Sequence, residues 1–146
     1  MGMDGAQPVR TLIAATADGC AFLREVLAQM PETKLIAETA DGRIALEQIR
    51  RMHPGLILLD ISLEQMTGLA VARQAIRDLP DTPVVIVSAI DEPAYLLEAL
   101  RIGVTGYLLT TIPAHDLACS IRRILAGETL FDMAFAMRTL QTLIMP

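Results

Sequence analysis

Leu56-Ile57-Leu58-Leu59-Asp60 sets four apolar residues in a row and closes them with a carboxylate. A strand with one wet face alternates apolar and polar side chains, because successive residues point to opposite sides. This run does not alternate, so both of its faces must be covered, as in a parallel sheet with helices on each side. Pro54-Gly55 breaks the chain just before it, and the loop Ile61 to Met66 follows it. A charge placed straight after a buried strand has to meet solvent, a partner or a cation. Asp60 is either a loop carboxylate that caps nearby amides or the mark of a functional end, and its position alone fits both.

The same alternation of buried strand and amphipathic helix extends in both directions. Upstream, Leu12-Ile13-Ala14-Ala15 is a short apolar run. Asp18 to Met30 has helical spacing, with Phe22, Leu23, Val26, Leu27 and Met30 on one face and Asp18 as a plausible N-cap. Lys34 to Thr39 reads as a second strand, and Asp41-Gly42 turns the chain into a helix carrying Ala45, Leu46, Ile49 and Met52. Downstream, Thr67 to Leu79 is helical, Val84-Val85-Ile86-Val87 is a fourth strand, and Glu92 to Ile102 is a helix. Tyr107-Leu108-Leu109 makes a short fifth strand, and a helix from near Pro113 to Ala126 ends at Gly127. Five β-then-α units over residues 10–127 predict a doubly wound, three-layer α/β domain with a five-stranded parallel sheet. Sites in such sheets form beyond the carboxyl ends of the strands. The residues there are Ala15-Thr16, Thr39-Ala40, Asp60, Ser88-Ala89 and Thr110-Thr111.

Bulk properties narrow the function. The chain has 146 residues, 53% of them hydrophobic, and a net charge of −5. That size suits one domain with one core. The acidic balance argues against this chain gripping nucleic acid by electrostatics. No apolar run approaches the roughly 18 residues of a membrane span. Residues 1–9 lack a basic region followed by an apolar stretch, so they are expected to be a disordered leader rather than a signal. Cys20 and Cys119 form no CxxC and are expected to be reduced, as in a cytoplasmic protein. His53 and His115 stand apart, without metal-ligand spacing. A flavin or nucleotide carrier would need a phosphate-cradling loop after the first strand. Thr16-Ala17-Asp18-Gly19-Cys20 has one glycine and puts an aspartate where the anion would sit, and aromatics are only 3% with no Trp. No cofactor is expected.

Four segments in register resemble the receiver domain of two-component response regulators, over about residues 10–127. Pro54-Gly55-Leu56-Ile57-Leu58-Leu59-Asp60 is similar to the family's phosphoacceptor strand, and Met66-Thr67-Gly68-Leu69 to the loop and helix start after it. Leu79 to Ala89 is similar to its fourth strand with the switch hydroxyl, and Ala99-Leu100-Arg101-Ile102-Gly103-Val104-Thr105-Gly106-Tyr107-Leu108-Leu109 is the most specific stretch. The resemblance is closest to the subfamily whose receivers precede a helix-turn-helix output domain. It implies a flavodoxin-like (βα)5 fold and no enzymatic role. It implies Asp60 as the phosphoacceptor position, Ser88 as the hydroxyl that turns toward the phosphoryl group, and Tyr107 as the aromatic that swings inward with it.

The departures fall on the chemical positions. The family's first strand ends in an acidic pair that holds magnesium, and here Ala15 and Thr16 stand there. The lysine that ends its fifth strand is Thr110, and the proline of the loop after the phosphoacceptor is Glu64. Phosphoryl transfer needs positive charge against the equatorial oxygens, and losing one such electrostatic donor costs about 3 kcal/mol of transition-state stabilisation. Asp18 and Glu64 are the carboxylates near enough in sequence to compensate. The expectation is a pseudo-receiver that regulates by contact, with no metal. The alternative is a conventional phospho-switch, phosphorylated on Asp60 by a histidine kinase with magnesium held through Asp60, controlling transcription through an output domain.

Residues 128–146 contain no internal Gly or Pro before Pro146. Met133, Met137, Leu140 and Ile144 fall at helical spacing, and Phe131 and Phe135 lie four apart. This predicts an amphipathic helical tail or linker. It either packs back on the domain or, with its Met-rich stripe exposed, makes a homodimer together with or instead of the last receiver helix. No basic stretch resembles a recognition helix, so no direct nucleic-acid contact and no membrane contact are expected of this chain.

Overall fold

A computed structural model describes residues 7–144. Strands and helices alternate along it as β1 (Val9–Ala14), α1 (Ala17–Ala28), β2 (Thr33–Thr39), α2 (Gly42–Met52), β3 (Leu56–Leu59), α3 (Gly68–Asp78), β4 (Val84–Ser88), α4 (Pro93–Ile102), β5 (Gly106–Leu109) and α5 (Ala114–Leu125). A two-residue strand β6 (Leu130–Phe131) and a helix α6 (Met133–Ile144) follow. The sheet order is β2-β1-β3-β4-β5-β6, and every pairing is parallel.

The continuous apolar runs are explained by this layering. On one face Leu12, Ile57, Leu59, Ile86 and Tyr107 meet α2, α3, α4 and α6 through Ala45, Ile49, Leu69, Ala72, Leu96 and Phe135. On the other, Ile13, Leu58, Val85, Val87 and Leu108 meet α1 and α5 through Leu23, Val26, Leu117 and Ile121. Every residue of β3, β4 and β5 is buried, so neither face can carry polar alternation.

Four expectations are corrected. The sheet has six strands rather than five, because the start of the tail pairs with β5, Gly106 with Leu130 and Tyr107 with Phe131. The tail is thus a strand and then a helix, and α6 packs on α4. The first strand begins at Val9 inside the segment read as leader, and residues 1–6 of that segment lie outside the described residues, as do 145–146 of the tail. Finally, the cap of α1 is Thr16, whose hydroxyl accepts from the Gly19 amide at 3.1 Å. Asp18 lies two residues past the cap, in the first turn of the helix, where a carboxylate is favoured by the helix dipole.

Two glycines fix the loops around the strand tips. A Cβ on Gly68 would lie 1.9 Å from the Asp60 carbonyl oxygen, and one on Gly42 would lie 2.0 Å from the Met66 carbonyl oxygen. The start of α3 therefore closes directly on the backbone of Asp60, with the Gly68 amide donating to the Ile61 carbonyl at 3.0 Å.

Candidate functional site

Strand β3 delivers Asp60 to the carboxyl end of the sheet, where its amide donates to the Ala14 carbonyl at 2.8 Å. Its Oδ1 accepts two hydrogen bonds, from the Ser88 hydroxyl at 2.9 Å and from the Ser62 amide at 3.2 Å. Ser88 ends β4 and is fully buried. The same hydroxyl oxygen accepts from the Ile90 amide at 3.2 Å, so the Ser88 side chain is held at both of its polar functions.

Tyr107 lies on β5 with no solvent exposure, and its hydroxyl donates to the Ile90 carbonyl at 2.6 Å. The Ile90 residue thus joins the two side chains, its amide on Ser88 and its carbonyl on Tyr107. Burial pushes the Tyr107 phenol far above its ordinary range, and the negative charges of Asp60 and Asp91 push the same way. Both effects disfavour phenolate, so Tyr107 acts as a neutral donor.

A pocket of about 270 Å³ opens beside Asp60, lined by Thr16, Asp18, Gly19, Phe22, Asp60, Ala89 and Thr110. Its lining holds two carboxylates and no cationic side chain. Ala15 is 1% exposed and belongs to the core layer with Cys20 and Leu23, and its carbonyl accepts from the Cys20 thiol at 3.4 Å. The Thr16 hydroxyl is committed to capping α1. Asp18 is exposed and lines the pocket, whereas Glu64 does not. Glu64 is fixed through its backbone, its amide donating to the Ala40 carbonyl at 2.9 Å and its carbonyl accepting from the Gly42 amide at 2.8 Å. Thr110 lines the pocket where a lysine would supply charge, and its amide donates to the Ser88 carbonyl at 3.0 Å.

These residues lack the acidic pair that holds the magnesium ion in the resemblance. Magnesium wants near-octahedral oxygen ligands, including one or two carboxylates that converge on it. Ala15 offers a buried methyl group and Thr16 a neutral hydroxyl that caps α1, which leaves Asp18 as the one carboxylate besides Asp60 in the lining. Among the described residues no three His, Cys, Asp or Glu side chains form a group suited to a metal ion. The cysteines add no nucleophile to the site, since Cys20 is buried, which pushes its thiol up, and Cys119 is free and exposed on α5.

Ala89 lies at the strand end that the sequence points to, whereas Gly19, Phe22 and Ile90 are not predicted as site residues. Gly19 had a local signal, as the one glycine between the first strand and Cys20. A Cβ there would meet the Ala15 Cβ at 2.9 Å and stand 3.8 Å from the Asp60 carboxylate. Ile90 had none, because it contributes through its backbone.

Comparison with known proteins identifies the family and the fold. The family profile described as response regulator receiver domain matches residues 15–122. The transcriptional regulatory protein DegU of Brevibacillus brevis is 30% identical over 105 residues, which cover 72% of this chain and 44% of that protein. The response regulator protein VraR of Staphylococcus aureus is 33% identical over 88 residues, covering 60% of this chain and 42% of that protein. The chain thus spans less than half the length of these relatives. Among solved structures, a LuxR-family two-component response regulator from Aurantimonas sp. superposes with a TM-score of 0.83 at 21% identity, covering 94% of this chain and 99% of that one. A LuxR-family DNA-binding response regulator from Staphylococcus aureus gives 0.73 at 24% identity, covering 80% and 98%. At such identities these two structures speak for the fold alone.

Proposed function

Because this chain belongs to the response regulator receiver domain family, we propose that it is a pseudo-receiver, a two-component signalling module that acts by contact rather than by metal-dependent phosphorylation or catalysis. One observation carries this reading. The pocket beside Asp60 brings together Asp60 and Asp18 with no cationic side chain in its lining and with a threonine at the lysine position. A phosphoryl group would enter a site whose fixed charges repel it, with Ala15, Thr16 and Thr110 where the family has the acidic pair and the lysine that serve phosphoryl transfer. The domain would work on the cytoplasmic side with no resident cofactor. Incubation with acetyl phosphate and magnesium, followed by intact mass measurement, tests the reading. We expect no stoichiometric adduct, and an adduct that disappears in Asp60→Ala overturns it.

A second reading is favoured by the intact chain of bonds from Asp60 through Ser88 and Ile90 to Tyr107. That is the wiring of a conventional phospho-switch, phosphorylated on Asp60 by a histidine kinase. Control of transcription, as the name of the DegU relative has it, would then lie in an output domain. The same adduct measurement separates the two.

The partner we expect on the α4–α6 face is a second copy of this chain. Tyr95, Leu100, Met137, Leu140, Leu143 and Ile144 are large, apolar and exposed on these two helices, and such a patch suits self-association. The outer face of α5 carries His115, Cys119, Arg122 and Arg123 and is the poorer candidate. Light scattering that gives a monomer at high concentration would remove the dimer.

A further inference from the structure

Helix α6 closes a ring of contacts around the switch. Phe131, in β6, pairs with Tyr107, and the Asp132 amide donates to the Tyr107 carbonyl at 3.2 Å. The Asp132 carboxylate then accepts from the Phe135 amide at 2.8 Å, which starts α6 beside β5. Phe135 is fully buried and meets the Tyr107 ring edge-on, with centroids 5.1 Å apart and planes at 76°. One turn on, the Arg138 guanidinium lies 5.8 Å from the centre of the Phe135 ring and pairs with Asp91 at 2.9 Å. Asp91 follows Ile90, whose carbonyl holds the Tyr107 hydroxyl. The tail therefore grips the aromatic ring at one end and the loop after β4 at the other.

We propose that α6 is a built-in lock on the switch, in which Phe135 acts as a positioning residue that keeps Tyr107 inward and Ser88 turned to Asp60. Detachment of α6 frees the pair without any chemistry at Asp60. The proposal rests on the reading of Ser88 and Tyr107 as the switch pair. Its physical basis is packing. An outward rotation of Tyr107 would leave Phe135 without its edge-on partner and open a void between β5 and α6, which dense interiors resist. The Ile90 carbonyl would lose its donor at the same time.

Fluorine NMR of the whole chain labelled with fluorotyrosine tests this, in a Tyr95→Phe background that leaves Tyr107 as the sole probe. We expect one resonance, protected from a soluble paramagnetic agent. In Phe135→Ala the exposed population of Tyr107 should rise about tenfold, the scale of one aromatic pair. Amide exchange in β1 and β3 should stay unchanged. Phe135→Leu keeps most of the bulk and should give an intermediate rise, and so should Arg138→Ala, which releases the loop end. If Phe135→Ala does not fold, the last two variants carry the test. Unchanged protection of Tyr107 in the folded variants overturns the lock, and so does exposure that spreads evenly through β1 and β3. No phosphoryl group enters this measurement, so its failure is separate from that of the contact reading, which the adduct experiment decides.

Discussion

The Ser88 hydroxyl donates to the Asp60 carboxylate across 2.9 Å, so the carboxylate itself is the acceptor toward which the switch hydroxyl is turned. Removing this donor in Ser88→Ala leaves a half-buried charge short of one bond and the Ile90 amide without its acceptor. The expected loss is about 2 kcal/mol of stability, the scale of one charge-assisted hydrogen bond, read by urea denaturation. A loss below a few tenths would mean that water replaces the hydroxyl.

Gly68→Ala should be the more damaging change, although it adds one methyl group. Its Cβ would meet the Asp60 carbonyl oxygen at 1.9 Å, backbone against backbone. Neither partner can rotate away, so the loop after β3 must shift. We expect a loss of about 3 kcal/mol or more, at the upper end for overpacking. Gly103→Ala is the control. Nothing lies near its Cβ and only its positive φ of 94° is strained, which costs about 1 kcal/mol. Thermal unfolding of the two variants side by side gives the comparison.

Thr110→Lys should return a cation to the Asp60 pocket. Thr110 lines the same cavity as Asp60 and Asp18, and an opposite charge beside a carboxylate at a partly exposed site stabilises the fold by about 0.5 kcal/mol. Urea denaturation of both proteins should show this gain at low salt and its loss at high salt. An unchanged stability at low salt would show that a side chain from position 110 does not reach the carboxylate.

Alkaline pH should unlock the switch. The Tyr107 phenol is raised above its ordinary value of about 10, first by burial and then by the charges of Asp60 and Asp91. A group with a raised folded pKa contributes stability that is fully present below its unfolded pKa and lost as pH rises toward the folded one. Stability should hold to about pH 10 and then fall. In Tyr95→Phe, ultraviolet titration should show no phenolate from Tyr107 until the fold gives way. Ionisation at the ordinary value in the folded protein would contradict the burial of this ring.

Much of the site was legible because its signals are local. Asp60, Ser88 and Thr110 were found at strand ends, since a strand apolar at every position announces where it stops. The absence of carboxylates at Ala15 and Thr16 was equally plain. Asp18 and Glu64 were not separable by spacing, because loop path rather than sequence distance decides which of them faces Asp60. The backbone bonds of Glu64 to Ala40 and Gly42 turn it to the neighbouring edge, while Asp18 rides the first turn of α1 into the pocket lining.

By itself the sequence determined five of the strands, their helices, the parallel layering and the carboxylate at the tip of β3, because hydrophobic period is encoded residue by residue. The tertiary structure decided the sixth strand, since two residues have no period to read. It decided which face of the tail turns inward, because Met133, Met137 and Leu140 make as good a stripe as Phe135, and only the Tyr107 ring offers Phe135 a complementary edge. The contact of Ser88 with Asp60 was decided there too, because it joins side chains 28 residues apart that meet only when β3 and β4 lie side by side.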